Sequence, residues 1–374
     1  MLDPDVVYLN HGAFGAMPSA VHDVQERLRR TMEADPVRFL ADELEARLDP
    51  ARAALAAFVG ADPADLAFVS NATSAVSSVL RSLRLDPGDE LLTTSHTYNA
   101  CRNALDWVAE RTGARVVVAA VPFPLTAEDQ VIEAVLGAVS DRTRLALLDH
   151  VTSPTGLIFP IRRLCAALEA ADVDVLVDGA HAPGMVPLDL ATLGAAYYTG
   201  NCHKWMCAPR GAGFLVARGD RHDGLVPAVL SHGRNALRPE RSRFHLDFDW
   251  IGSLDPTPWL CVPEALAVVG GMLPGGWPAI YERNRGLALE ARAILGDALG
   301  VTPAAPASMI GSLVAFPIGP GDPAALRRRL IAAGFQLPVY TFGGERVLRV
   351  SAAIYNERAD YERLAATLTT LRAG

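Results

Sequence analysis

Short apolar runs alternate with segments of helical periodicity between residues 60 and 218, and this alternation restricts the fold more than any other feature of the 374-residue chain. The runs are apolar throughout and rich in β-branched residues, which indicates strands buried on both faces. Strands spaced in this way by helices are typical of an α/β architecture with a mostly parallel sheet. We therefore predict a large seven-stranded sheet from the runs at residues 66–70, 90–95, 114–121, 144–151, 173–180, 195–202 and 211–218.

The regions on either side of this sheet have other patterns. Two helices precede it, begun by Pro18 and by Pro36. After residue 219 the pattern changes to an irregular stretch rich in Gly, Arg and Pro, and a mixture of predicted helices and strands follows. The sequence therefore predicts a large domain over residues 15–258 and a small C-terminal α+β domain over residues 259–374.

Composition and charge exclude several classes of protein. The net charge of −8 comes from interspersed signs without a basic stripe, so nucleic acid is not an expected partner. No apolar run approaches the roughly 20 residues that span a bilayer, and the N-terminus has no signal-peptide pattern, so we expect a cytoplasmic protein without membrane contact. The cysteines form no C-x-x-C pair and indicate neither disulfides nor a thiolate metal site. They are Cys101, Cys165, Cys202, Cys207 and Cys261.

The chain contains a single lysine, Lys204, whereas its other 33 basic residues are arginines. An arginine-rich composition explains the arginines but not this exception. A lysine amine can lose its proton when it is desolvated and can then attack a carbonyl to form a Schiff base, whereas arginine stays protonated. The alternative is a surface lysine without a role. Because "NCHKW" follows a predicted buried strand, we predict covalent or proton-transfer chemistry at Lys204.

Schiff-base chemistry at a lysine indicates pyridoxal phosphate (PLP), whose ring nitrogen needs a carboxylate to keep it protonated. Asp178 ends the apolar run in "VDVLVDGAHAPG", at the edge where α/β sheets bind ligands. The alternative for Asp178 is a helix N-cap. Three residues later, His181 is placed to hydrogen-bond the ring hydroxyl, although a structural histidine fits the pattern nearly as well.

Two further stretches have the composition that this cofactor requires. "SNATSAVSS" places Asn71, Ala72 and Thr73 at the start of a helix, where backbone N–H groups and hydroxyls bind phosphate, although the same residues also form an ordinary capping sequence. "TTSHTYNACRN" offers His96 and Tyr98 as aromatic groups that could stack on the ring. Of these two, Tyr98 is preferred.

At these residues the chain resembles the class V aminotransferase family of fold type I PLP enzymes, and within it the isopenicillin N epimerase-like branch. The matching motifs run in the family's order over nearly the whole chain. They are "YLNHGAFGAMP", "SNAT", "HTYNACRN", "DHVTSPTG", "VDGAHAPG", "YTGNCHKWMCAPRGAGFL", "WIGSLDPTPWL" and "LRVSAAIYN".

The resemblance implies a role for each matched residue at the cofactor. Lys204 would form the internal aldimine, Asp178 would pair with the pyridinium nitrogen, and His181 would contact the phenolic oxygen with Ser153 nearby. The residues that would bind phosphate are the backbone of Ala72 and the side chains of Thr73, Asn201 and His203.

The resemblance also implies substrate contacts and a homodimer whose active sites lie at the subunit interface. Arg349 matches the arginine that grips the substrate carboxylate, a task suited to a guanidinium group, although it also reads as a surface arginine on a strand. Asn10 and His11 belong to an N-terminal segment, residues 1–14, that would fold over the substrate. Gly252 and Ser253 would complete the partner's phosphate site.

One departure from the family bears on the reaction. Cysteine desulfurases carry a nucleophilic cysteine shortly before the carboxylate-binding arginine, and residues 262–374 contain no cysteine. Sulfur transfer through a persulfide is therefore disfavoured.

Proton abstraction at Cα by Lys204 would be common to three reactions. Epimerisation is the first choice, and it needs a second acid on the far face of the cofactor, for which Tyr98 and His96 are candidates. Carbon–sulfur β-elimination on a cysteine conjugate or its sulfoxide is the alternative, and transamination is the third. A non-catalytic binder would not need Lys204 and Asp178, and a metal hydrolase would need a ligand spacing that His150, His181 and His203 lack.

Overall fold

The structure is a computed structural model that describes residues 1–373. Its strands are β1 (Val7–Tyr8), β2 (Leu66–Val69), β3 (Glu90–Thr94), β4 (Arg115–Ala119), β5 (Thr143–Asp149), β6 (Asp174–Gly179), β7 (Tyr197–Asn201), β8 (Gly213–Ala217), β9 (Leu313–Pro317), β10 (Phe335–Gln336), β11 (Val339–Phe342) and β12 (Glu345–Ser351). Its helices are α1 (Ser19–Ala34), α2 (Leu44–Val59), α3 (Ala72–Ser82), α4 (Asn99–Thr112), α5 (Asp129–Leu136), α6 (Ile161–Glu169), α7 (Arg243–Asp249), α8 (Thr257–Leu260), α9 (Val262–Gly270), α10 (Gly276–Leu299), α11 (Pro323–Ala332) and α12 (Arg358–Ala373).

The predicted seven-stranded sheet is confirmed, with strand order β2-β8-β7-β6-β5-β3-β4. Strand β8 is antiparallel to both of its neighbours, β2 and β7, and all other pairings are parallel. Every strand except β8 therefore points its carboxyl end toward the same edge of the sheet. In such sheets ligands bind at this edge.

The strands of this sheet are apolar on both faces because helices cover both. In β5, Ala146 and Leu148 pack into one core, whereas Leu145 and Leu147 pack into a second core that α3 and α4 cover. This alternation follows from the two-residue period of a strand. It explains why the sequence shows uninterrupted apolar runs.

A smaller antiparallel sheet has the order β11-β12-β9 and contacts α10 and α11. The N-terminal segment joins this part of the chain because β1 pairs in parallel with β10, with Val7 opposite Phe335. The domain boundaries given above stay predictions.

Two local predictions need correction. The second N-terminal helix does not run continuously from Pro36, because residues Arg38–Asp42 form a π-helical segment and α2 begins at Leu44. The stretch after residue 219 contains α7, which the sequence pattern did not indicate. The arginines at positions 234, 238, 241 and 243 of this stretch form ion pairs and lie outside the cavity described below, as Arg238 with Glu45 illustrates.

Within residues 1–373, no helix has the length and apolar character needed to cross a membrane.

Candidate active site

A cavity of about 340 Å³ opens at the carboxyl ends of the central strands. Most ligand pockets have volumes of about 300–1,000 Å³, so a cofactor-sized molecule fits. The cavity is lined by Gly12, Ala13, Phe14, Asn71, Ala72, Thr73, Tyr98, Asp149, Val151, Ser153, Asp178, Ala180, His181, Asn201, His203, Lys204 and Arg349.

Lys204 lies just after β7, and its Nζ is 3.1 Å from Nε2 of His181. Burial lowers the pKa of Lys204 to about 8, although the nearby Asp178 carboxylate opposes this effect. The chain just after the N-terminal segment packs directly on the lysine backbone, because a Cβ at Gly15 would lie 2.1 Å from the Lys204 carbonyl oxygen. The lysine side chain is partly buried, and its amine exists in part without its proton near neutral pH.

Asp178 reaches the cavity from β6 and is not a helix N-cap, since a turn follows it. Its Oδ1 accepts a hydrogen bond of 2.9 Å from the Ala180 N–H, and its Oδ2 accepts one of 3.2 Å from the Cys101 thiol. Both donors stabilise a carboxylate. Asp178 can therefore present a negative charge to the cavity.

The amino end of α3 forms another wall. Asn71 caps this helix, and its side chain accepts a 2.9 Å hydrogen bond from the Ser74 N–H. The Ala72 N–H donates to Asn201 Oδ1 over 2.9 Å. A Cβ at Gly213 would lie 2.7 Å from the Asn71 Cα, so only glycine lets β8 approach this helix end. Helix N-termini with such N–H groups bind anions.

The two histidines in the cavity are neutral near pH 7. Burial lowers the pKa of His203 to about 4, and its Nδ1 donates to the Ala212 carbonyl oxygen over 2.8 Å. Burial, followed by the charges of Lys204 and Arg349, places the pKa of His181 well below its usual value. Both imidazoles can therefore act as hydrogen-bonding groups without a positive charge.

Arg349 reaches the cavity from β12 and is buried, which excludes the surface-arginine alternative. Its Nη1 donates to the Ser153 carbonyl oxygen. Tyr340, on the neighbouring strand β11, donates its hydroxyl to the Pro154 carbonyl oxygen. The small sheet thus delivers a guanidinium group to the edge of the large sheet.

The structure separates the two aromatic candidates. Tyr98 precedes α4, lines the cavity and is 44% exposed. His96 is fully buried outside the cavity lining, with Nδ1 2.7 Å from the Thr155 hydroxyl and its ring 4.9 Å from that of Phe342. Only Tyr98 is therefore positioned to stack on a bound ring, and no stacking or catalytic role for His96 is supported.

The N-terminal segment covers the cavity, but not with the residues expected from the sequence. Gly12, Ala13 and Phe14 line it, whereas His11 lies behind them with Nε2 3.1 Å from the Lys204 carbonyl oxygen. Asn10 is partly buried, and its Oδ1 has no hydrogen-bond partner within the described part of the chain.

Gly252 and Ser253 lie outside the cavity lining. The Gly252 Cα faces open space, and Ser253 is exposed.

Sequence reasoning missed Asp149, which ends β5 and lines the cavity beside Asp178. It also missed Cys101, whose thiol contacts Asp178 from α4. The signal for Asp149 was available, since "LALLDHV" ends an apolar run with a carboxylate just as "VDVLVDGA" does.

The groups around the cavity fit PLP. The aldehyde of this cofactor requires an amine, its ring nitrogen a carboxylate, its ring hydroxyl a hydrogen-bonding partner and its phosphate a helix N-terminus with hydroxyls. The cavity supplies these groups through Lys204, Asp178, the neutral imidazoles and the start of α3 with Thr73. Together with the seven-stranded sheet, they define a PLP-dependent enzyme of fold type I.

Comparisons with known proteins identify the family. Residues 7–241 match aminotransferase class-V. Isopenicillin N epimerase of Amycolatopsis lactamdurans is 38% identical over 389 residues, which cover 99% of this chain and 96% of that protein. Putative L-cysteine desulfhydrase 1 of Oryza sativa subsp. japonica is 31% identical over 402 residues, which cover 96% of this chain and 82% of that protein. The chain belongs to the class-V aminotransferase family, and its cofactor is PLP.

The cystine C–S lyase C-DES, solved with its reaction product cysteine persulfide, has the same fold. Its TM-score is 0.86 at 20% identity, and the alignment covers 98% of both chains. A variant of C-DES carries glycine covalently linked to its PLP cofactor.

Proposed function

We propose that this enzyme epimerises an amino acid or an amino-acid-containing metabolite at Cα, as an isopenicillin N epimerase-like protein. The observation that carries the proposal is the partly buried Lys204 amine, whose pKa is lowered to about 8 inside a cavity that also holds Asp178 and Arg349. The 38% identity to isopenicillin N epimerase over nearly the full length supports the choice of reaction.

PLP bound in this cavity supplies an electron sink that acidifies the Cα–H bond of an attached amino acid. Asp178 would hold the ring nitrogen, and the start of α3 would hold the phosphate with Thr73, Asn201 and His203. His181 would donate to or accept from the ring hydroxyl near Ser153.

Arg349 and Lys204 would act on the substrate first. Arg349 would bind the α-carboxylate through paired hydrogen bonds, which fixes the orientation of the Cα–H bond. The Lys204 amine would then take the proton from Cα, because a base with a pKa near the working pH transfers protons efficiently.

Inversion needs a proton donor on the face away from Lys204. We assign this role to the Tyr98 hydroxyl, because Tyr98 lines the cavity whereas His96 lies outside the lining. Its partial exposure leaves the hydroxyl accessible to solvent protons.

Carbon–sulfur β-elimination is the second candidate, and a specific observation favours it. Elimination needs one base and a leaving group on Cβ, so Lys204 can serve as its base without a second catalytic acid on the far face. The rice relative named L-cysteine desulfhydrase supports it at 31% identity, less strongly than the epimerase supports the first candidate.

Incubation in deuterated water with isopenicillin N and, separately, with L-cysteine and S-substituted cysteines tests the two candidates. Deuterium at Cα with inverted configuration supports epimerisation, whereas pyruvate and ammonia support elimination. The K204R variant is the matched control, because it keeps the positive charge but not the basic amine. Turnover by K204R equal to that of the wild type would overturn both candidates.

We also propose a homodimer in which Gly252 and Ser253 complete the phosphate site of the partner. These residues lie outside the lining of their own cavity, and the exposed apolar side chains of Val37, Leu230 and Leu237 offer surface for association. Light scattering at the size-exclusion peak measures the mass, and S253R should lower both the dimer fraction and the affinity for PLP. A monomer with full PLP affinity would contradict this assembly. The cytoplasmic location stays a prediction.

A further inference from the structure

Asp149 and Asp178 form a pair of carboxyl groups in the floor of the cavity. They lie opposite each other in the register between β5 and β6, at the carboxyl ends of both strands. Side chains on a strand alternate, and Leu147 and Leu176 pack in the same core under α3 and α4. Asp149 and Asp178, two residues further on, therefore point to that same face.

The surroundings of the two carboxyl groups differ. Asp178 accepts hydrogen bonds from the Cys101 thiol and the Ala180 N–H. Asp149 is 2% exposed, and its Oδ2 finds no hydrogen-bond partner among the residues that the structure describes. A buried carboxylate oxygen without a donor is unfavourable, whereas a protonated oxygen there carries no charge.

Groups from several neighbouring elements act on Asp149. The Tyr98 N–H and the Thr97 hydroxyl favour its anion, but burial and then the charge of Asp178 raise the pKa of Asp149 well above its usual value. Cys101 from α4 is a neutral thiol, because burial raises its pKa, and Lys204 is the neighbouring amine. Two adjacent buried carboxyl groups oppose each other's ionisation, which favours the neutral form of Asp149.

We propose that Asp149 is a positioning residue of the active site, a neutral carboxylic acid that leaves Asp178 as the anion and holds the Thr97–Tyr98 turn at the cavity. This inference rests on the proposed function, because it assigns the anionic partner of the cofactor ring to one of two adjacent carboxyl groups. It also adds a constraint on Lys204: a second anion at Asp149 would raise the pKa of the amine.

The isosteric variant D149N tests the proposal on the PLP-loaded full chain, since an amide mimics the neutral acid but not the anion. The infrared difference spectrum between wild type and D149N near neutral pH should contain the carbonyl band of a protonated carboxylic acid. We expect kcat/KM of D149N within about threefold of wild type, with the same midpoint on the acid side of the pH profile, where activity rises as Lys204 loses its proton. The D149L variant, which cannot hydrogen-bond the turn, should lose about tenfold or more in kcat/KM.

Three outcomes would overturn the proposal. They are a difference spectrum that shows only a carboxylate band, a D149N pH profile displaced toward acid, and a D149L variant as active as D149N. Should D149N fail to bind PLP, the wild-type spectrum decides, because absence of a carboxylic-acid band near neutral pH contradicts a neutral Asp149. The spectrum needs no turnover, so a failure of the epimerase assignment would leave this result standing.

Discussion

The Nζ of Lys204 lies 3.1 Å from the Nε2 of His181, so the amine that we assign to catalysis faces a neutral imidazole instead of a carboxylate. The Trp205 indole N–H approaches the other ring nitrogen of His181 at 3.5 Å. With its Nδ1 facing this donor, neutral His181 carries its hydrogen on Nε2 and can donate it to the lone pair of the amine. The arrangement stabilises unprotonated Lys204, whereas an acidic partner would stabilise the ammonium ion.

This relationship predicts the pH dependence of cofactor capture. Attack on the PLP aldehyde needs the neutral amine, so the rate at which the apoprotein acquires its visible absorbance should rise with pH and level off above about 8. Below that pH, the rate should fall about tenfold per pH unit. Stopped-flow absorbance measures it.

D178N gives the matched comparison for this pH profile. The Asp178 carboxylate raises the pKa of Lys204, so its removal should move the midpoint to lower pH. A wild-type midpoint near that of a solvated lysine, about 10.4, would show that Lys204 is not desolvated as the structure indicates.

The carboxylate-binding role of Arg349 predicts a selective effect on substrate affinity. R349K keeps the charge but loses the paired hydrogen bonds of a guanidinium, so KM should rise about tenfold or more while PLP affinity is unchanged. Steady-state kinetics with a cofactor titration separates the two effects. R346K, on the same strand but outside the cavity lining, is the control and should behave as wild type. An unchanged KM in R349K would remove Arg349 from the substrate site.

The buried ion pair between Arg52 and Asp249 predicts a large effect on stability. The Arg52 Nη2 donates to both carboxylate oxygens at 2.9 and 2.8 Å, and both side chains are nearly inaccessible. D249N leaves the buried Arg52 guanidinium with only the half-exposed Asp49 carboxylate, 3.7 Å away, and should cost about 3–5 kcal/mol of unfolding free energy. R52M should cost less, because Asp249 keeps Arg241 as a partner at 3.2 Å.

Urea unfolding of these two variants measures the difference. R358A, in an exposed ion pair with Glu362, should leave the unfolding midpoint unchanged. Equal midpoints for D249N and R358A would mean that the pair does not hold α7 against α2.

The sheet was predictable because strands buried on both faces must be apolar at every position, and this requirement marks each run in the sequence. Lys204 and Asp178 were predictable as candidates because each stands at or just beyond the end of such a run. Asp149 ends an apolar run in the same way, but its position beside Asp178 depends on the register between β5 and β6, which a single strand does not encode.

Other features of the site depend on packing that local sequence does not show. His96 and Tyr98 are two residues apart, and the turn between them buries one ring among Phe123 and Phe342 while it opens the other to the cavity. The π-helical segment Arg38–Asp42, which interrupts the second N-terminal helix, likewise contains no proline or glycine that would mark it in the sequence.

Substitutions at Tyr98 separate proton removal at Cα from inversion of its configuration. Y98F keeps the ring but removes the hydroxyl, so PLP affinity should stay within about threefold, whereas Y98A should lose about tenfold because the stacked ring is absent. If the hydroxyl is the second acid, Y98F should still exchange Cα–H for deuterium through Lys204 but should invert the configuration at least about 10²-fold more slowly. Chiral chromatography with mass spectrometry measures exchange and inversion in the same sample. H96N, altered outside the cavity lining, should keep both rates, and inversion by Y98F at the wild-type rate would exclude Tyr98 as the proton donor.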